Sequence, residues 1–164
     1  MNIKKCLCVC VICVSVIITP VSLHAAAGLR VGPSEITLKN ISPGDVYDFQ
    51  RDNGILLRVY NDCDEKQEYS VASLKSSEIN NVPEGYTDIP EKDWLSFETN
   101  EIEIAPHEVG EVKMYLNIPD NSEYFGKLWV VSIRVRSVVG TEQGVSLACH
   151  PRIRIGTIKK QNSN

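Results

Sequence analysis

Apolar residues recur at every second position through most of this chain. The clearest run is Val112, Met114, Leu116 and Ile118, with Glu111, Lys113, Tyr115 and Asn117 on the alternate positions. A period of two sends one set of side chains into a core and the other into water, so the run predicts a half-buried strand. The same alternation appears at Ile55, Leu57 and Val59, at Tyr69 and Val71, and at Ile102 and Ile104. It returns at Trp129, Val131, Ile133 and Val135. Leu128 and Val130 are apolar on the opposite parity, which predicts burial on both faces for the first half of that strand. A last strand carries Val145, Leu147, Cys149, Ile153 and Ile155 on one parity. No window shows a helical period.

The interruptions are as informative as the runs. Leu29 and Val31 share one parity, whereas Ile36 and Leu38 beyond Pro33 share the other. A shift of one residue exchanges the two faces of a strand, so a bulge or a switch between sheets is expected at Gly32-Pro33. Ser42-Pro43-Gly44, Ala105-Pro106-His107-Glu108 and the region of Gly140 read as turns. Residues 75–93 are polar and contain Pro83, Gly85 and Pro90, which predicts one long loop concealing an irregular edge strand. Tyr124 and Phe125 are expected to cap one end of the core. About seven or eight short strands without a helix predict an all-β, antiparallel two-sheet sandwich. A closed barrel is the competing architecture, and the parity shift at Pro33 favours the sandwich.

The first 27 residues follow a different pattern. Lys4 and Lys5 precede an apolar run from Cys6 to Ile18, and Ala25-Ala26-Ala27 closes the segment. Basic start, apolar middle and small-residue site are the order of a secretory signal peptide, with cleavage expected after Ala27. The run is shorter than the roughly 20 apolar residues of a membrane-spanning helix. The expected organisation is therefore a signal peptide (1–27), a sandwich (28–158) and a polar C-terminal tail (159–164). Export across the cytoplasmic membrane implies a periplasmic, extracellular or cell-surface location.

Removing that segment changes the charge and the cysteine count. The 164-residue chain carries a formal charge of −4. Without Lys4 and Lys5, 15 basic residues face 21 acidic ones, a charge of −6. That balance argues against a nucleic-acid partner. Four of the six cysteines leave with the signal peptide, so only Cys63 and Cys149 remain. Both fall on inward parity. A disulfide between them would close an 86-residue loop, worth about 4 kcal/mol in the chain-entropy model. Two separate buried thiols are the equal alternative.

Few residues suggest chemistry. His107 and His150 show neither H-x-x-x-H nor C-x-x-C metal spacing, and there is no G-x-S-x-G elbow. His150 and Cys149 are strand neighbours and point to opposite faces, which argues against a thiol–imidazole pair. No enzyme activity, cofactor or metal is expected; a hydrolase built on either histidine and a carboxylate is the minor alternative. Glu101 and Glu103 read as a solvated face. The notable group is basic: Arg134 and Arg136 in one strand and Arg152 and Arg154 in the next. If the two strands form a hairpin, all four share one outer face, a candidate contact for an anion or an acidic partner.

Several of these segments together resemble a known class of domain. They are Trp94-Leu95-Ser96-Phe97, Ile102-x-Ile104-x-Pro106, Val112-x-Met114-x-Leu116-x-Ile118-Pro119 and Phe125-Gly126-Lys127-Leu128, with a strand running from Ile55 to Asn61 upstream. The pattern resembles Ig-like domains of bacterial secreted proteins. It is similar to the peptidoglycan-binding domain of WxL-interacting surface proteins and to the N-terminal domain of periplasmic pilus chaperones. The resemblance implies an Ig-like sandwich and a binding role. It also marks departures: pilus chaperones carry two such domains, and WxL-interacting proteins carry a C-terminal membrane anchor that is not expected here. Pilus chaperones capture a subunit's terminal carboxylate with basic residues that do not map onto this sequence, although Arg30 sits near the start of the first strand.

The expected function is that of a secreted, non-enzymatic Ig-like module that binds an envelope or surface protein or a cell-wall polymer. Strand addition at an open sheet edge is the expected mode, with Val145 to Ile155 as the edge. A periplasmic chaperone-like role, capping a secreted or pilus subunit, is the alternative.

Overall fold

The computed structural model describes residues 28–138 and 147–160. The expected signal peptide, Val145, the turn at Gly140 and the end of the tail lie outside these residues. The described chain is all-β and forms the expected Ig-like sandwich.

The first strand resolves the parity shift. β1 (Leu29–Gly32) pairs antiparallel with β4 (Leu57–Asn61), whereas β2 (Glu35–Ile41) pairs parallel with β13 (Arg152–Thr157) in the other layer. The chain therefore changes sheets at Gly32-Pro33, where the peptide is cis. β3 (Val46–Asp48) leads into a single helical turn, α1 (Phe49–Asn53). The Asp48 carboxylate caps that turn by accepting from the Gln50 and Arg51 N–H groups, and Gly54 ends it at φ 65°. Five residues are too few to show a 3.6 period, so this helix leaves no mark in the hydrophobic pattern.

β5 (Gln67–Leu74), β6 (Thr87–Asp88), β7 (Leu95–Phe97), β8 (Glu101–Ile104), β9 (Val109–Val112), β10 (Met114–Asn117), β11 (Leu128–Ser137) and β12 (Ala148–Cys149) complete the order before β13. One layer holds the ladders β1-β4-β9 and β3-β10-β7, set end to end because β9 and β10 are a single run broken at Lys113. The other layer is β2-β13-β11-β5-β8. The inward positions match the alternation: Val112, Met114, Leu116 and Ile118 are fully buried, as are Val131, Ile133 and Val135. Tyr124 stacks with Trp94 and Trp129 at one end of this core.

Residues 75–93 are more ordered than a loop. They contain two short 3-10 turns (Ser76–Ile79 and Lys92–Trp94) and β6, which pairs parallel with β11. The start of the segment lies on the outer face of the larger sheet, where Ser76 and Ser132 hydroxyls meet at 2.7 Å, both buried. This covering explains the burial of Val130. Leu128, expected to be buried as well, lies beyond it and is half exposed.

One buried polar side chain ties the two layers together. Asn61, at the end of β4, is completely buried. Its Nδ2 donates to the carbonyls of Glu65 (2.7 Å), Ile104 (3.1 Å) and Ala105 (3.0 Å). Its Oδ1 accepts from the Cys63 N–H (3.1 Å) and the Tyr69 hydroxyl (3.2 Å). Burial pushes the Tyr69 phenol up from its ordinary 10.0 to about 12.

Two outcomes are expected in urea unfolding. Asn61→Ala leaves buried carbonyls unpaired and costs about 3 kcal/mol, while exposed Asn117→Ala costs close to nothing. Because the folded-state pKa of Tyr69 is raised, its stabilisation is complete below pH 10 and lost as pH climbs towards 12. Tyr69→Phe should flatten that alkaline decline.

Candidate functional site

The four arginines share the outer face of the larger sheet, because Arg152 and Arg154 stand opposite Ser132 and Val130 of β11. They do not form one cluster, which corrects the sequence-based picture. Arg152 and Arg154 both close on Glu35 of β2, at 2.6 Å and 3.0 Å. Arg152 also donates to the Asn81 side chain at 3.0 Å, and Arg154 lies over the Tyr86 ring at 5.6 Å. Sequence reasoning could not find Glu35, because β2 reaches β13 only through the sheet switch. Arg134 and Arg136 lie further along β11, opposite Ala72 and Ser70 of β5. Both are exposed, and Arg136 donates to the Ser70 hydroxyl at 3.3 Å.

Arg30 is engaged as well. It makes two 3.1 Å hydrogen bonds to the Asp62 carboxylate and stacks on Tyr60 at 4.0 Å.

Of the two arrangements open to Cys63 and Cys149, the structure carries free thiols. β4 ends at Asn61, so Cys63 is not on the strand as its parity suggested. Its sulfur fills the space where a side chain at Gly28 would start, so any larger residue at position 28 would have to displace it. Cys149 sits in β12, with its sulfur 3.7 Å from the Leu29 carbonyl. Burial raises the pKa of both thiols above the ordinary value, and the acidic neighbours Asp62, Asp64 and Glu65 add to the effect at Cys63. Such thiols stay protonated near neutrality and are poor nucleophiles. His107 approaches Asp64 at 3.0 Å, but the pair is an exposed surface contact, 64% and 77% accessible.

The sheet edge is the site with binding geometry. The last strand was expected to be the open edge along its whole length; β13 is instead covered by β2 on one side and β11 on the other. Only β12 is left. It pairs with β11 through Cys149 opposite Val135 and Ala148 opposite Arg136, and among the described residues no strand pairs its other side. Its polarity follows from its neighbours. The Leu147 carbonyl accepts from Ser137 (3.3 Å) and the Pro151 carbonyl from Ile133 (2.8 Å), so odd-numbered residues face β11. Arg152 N–H donates to Ser34 (3.1 Å), so even-numbered residues face away. By alternation, the backbone N–H and C=O of Ala148 and His150 point outward from the open edge.

Comparison with solved structures shows a likeness of fold to PapD-like Ig-like domains. The chain resembles a PapD-like domain of human CEP192 (domain 7; TM-score 0.58, 12% identity, 90% of this chain and 97% of that one). It resembles a chain of a chaperone–tip adhesin complex of CFA/I fimbriae biogenesis (0.53, 19% identity, 83% and 58%). It also resembles a putative carbohydrate binding protein from Bacteroides ovatus (0.61, 13% identity, 81% and 38%). The chain thus spans 58% and 38% of the latter two chains. These likenesses are likenesses of fold. No protein-family model matches the sequence. No curated protein matches it either.

The raised thiol pKa values set an expectation for reactivity. Alkylation of native protein by iodoacetamide should be slow at pH 7 and should accelerate only above pH 9, the ordinary value for a thiol. Fast modification at pH 7, followed by mass spectrometry of each cysteine, would contradict the protonated state.

Proposed function

We propose that this chain is an exported, non-enzymatic Ig-like module of the cell envelope that binds a partner protein by strand addition at β12. The observation that carries the reading is the outward-facing backbone of Ala148 and His150, which no strand pairs among the described residues. An extended segment laid there would receive main-chain hydrogen bonds from a strand already held by β11. Leu147 and Cys149, on the core parity, would flank it with apolar surface. The PapD-like fold supports a chaperone-like form of this binding, in which the partner segment is a strand exposed in an incompletely folded subunit. A periplasmic or surface location follows from the signal-like N-terminal residues. No described helix is long and apolar enough to cross a membrane.

Proline at position 148 tests the mode. Ala148 is exposed and its N–H points away from β11, so Ala148→Pro removes the outward donor and leaves the β11 ladder intact. In cross-linked envelope extract, wild type is expected to form a discrete complex that A148P loses at unchanged thermal stability. The exposed β2 variant Thr37→Ala should keep it. Equal recovery of the complex by A148P would rule strand addition out.

A further inference from the structure

Seven arginines fall among the described residues, and five are paired with carboxylates: Arg30 with Asp62, Arg51 with Asp52, Arg58 with Glu111, and Arg152 and Arg154 with Glu35. Arg134 and Arg136 are the two that make no such pair among these residues. Both line one open groove of about 480 Å³ beside β5. Among the described residues, the two guanidinium groups without a carboxylate partner therefore stand at a single concavity.

The rest of the lining narrows the ligand. Lys92 adds a third cation, while Asp93 and Glu101 place carboxylate acceptors on the same groove. Ser70 and Asn100 add neutral hydrogen-bonding groups, and the half-buried Phe97 adds an aromatic side chain. The groove volume falls in the range of small-ligand sites. A protein partner would want a buried apolar anchor at the centre of its footprint, and this groove is polar. An acidic peptide would place its carboxylates against Asp93 and Glu101. A sugar acid uses both kinds of group: its carboxylate meets guanidinium, and its hydroxyls donate to the carboxylates and the amide.

We infer that the Arg134–Arg136 groove binds a carboxylated saccharide. The carboxylate sits between the two guanidinium groups, which stand two residues apart on the same face of β11. The ring hydroxyls face Asn100 and Glu101, and the apolar face of the ring lies towards Phe97. This site is separate from the β12 edge, so the two fail independently.

The test is titration calorimetry of the full exported chain with three probes: a galacturonate oligomer, the matching neutral galactose oligomer and a poly-glutamate peptide. The expected result is binding of the galacturonate oligomer alone, weakening as salt rises. The double variant Arg134→Gln/Arg136→Gln should lose at least tenfold in affinity with an unchanged thermal midpoint, while the exposed Asn117→Ala variant on the other sheet binds as wild type does. Absence of heat at millimolar galacturonate, equal binding of the neutral oligomer or of poly-glutamate, or wild-type affinity in the double variant would each overturn the inference. A double variant with a lowered midpoint is replaced by the single variant Arg134→Gln, from which a loss of at least threefold is expected; wild-type affinity there is also an overturning result.

Discussion

The hydrogen bonds of Asn61 join elements that no sheet ladder joins. β4 and β9 belong to one layer, and β5 and β8 to the other. Asn61 reaches from the end of β4 to the tyrosine of β5 and to the carbonyls that end β8. Its own N–H donates to Glu108, in the turn that carries the chain from β8 to β9. Every polar atom of the side chain is used in a dry site, where an unpaired group is most costly. The network fixes how the two layers meet at that end, and apolar packing alone is indifferent to such a choice. Cys63 is drawn into the same corner because its N–H bonds to Asn61, and this is what brings its sulfur against Gly28.

The opposite constraint is the sheet switch at Gly32-Pro33. If the first strand stayed with β4, β13 would be an open edge of six residues carrying Ile153 and Ile155. Long apolar edges invite indiscriminate pairing. By crossing over, residues 35–41 cover β13 and supply Glu35 to neutralise Arg152 and Arg154. Opposite Ser34 the cover stops. What remains uncovered of the last strand is short, and its position is set by where β2 begins.

These two features mark the border of what the linear pattern could reveal. The inward positions of β9, β10 and β11 were legible because period-two burial is a local property of a strand. The switch at Pro33 was legible for the same reason, as a change of parity. The partner of the switched strand was not, since the pairing of residue 35 with residue 152 spans the whole domain. The arginines show the same limit. Their common face followed from alternation, but Glu35 divides them, and Glu35 lies more than a hundred residues upstream. The helical turn at Phe49 was hidden by its brevity, although Asp48 and Gly54 are recognisable caps. The stretch 75–93 was hidden by its polarity: it is held on the sheet by the Ser76–Ser132 contact and by Ile89, which is buried, and not by a run of apolar residues.

β11 is where the two proposed sites meet. Its odd-numbered residues from Trp129 to Val135 are buried in the core, and its even-numbered residues Arg134 and Arg136 face the groove. Its backbone holds β12 on one side and β5 on the other. A strand so fixed by packing and by two ladders presents both features already ordered. A ligand at either one then bears most of the ordering entropy itself, which favours extended segments and oligomers that gain contacts as they lengthen. Ala148 stands directly opposite Arg136, so only one strand separates the open edge from the basic groove. A partner large enough to occupy the edge would pass within reach of the groove, and the charge there would act on which partners are accepted more than on how tightly they are held.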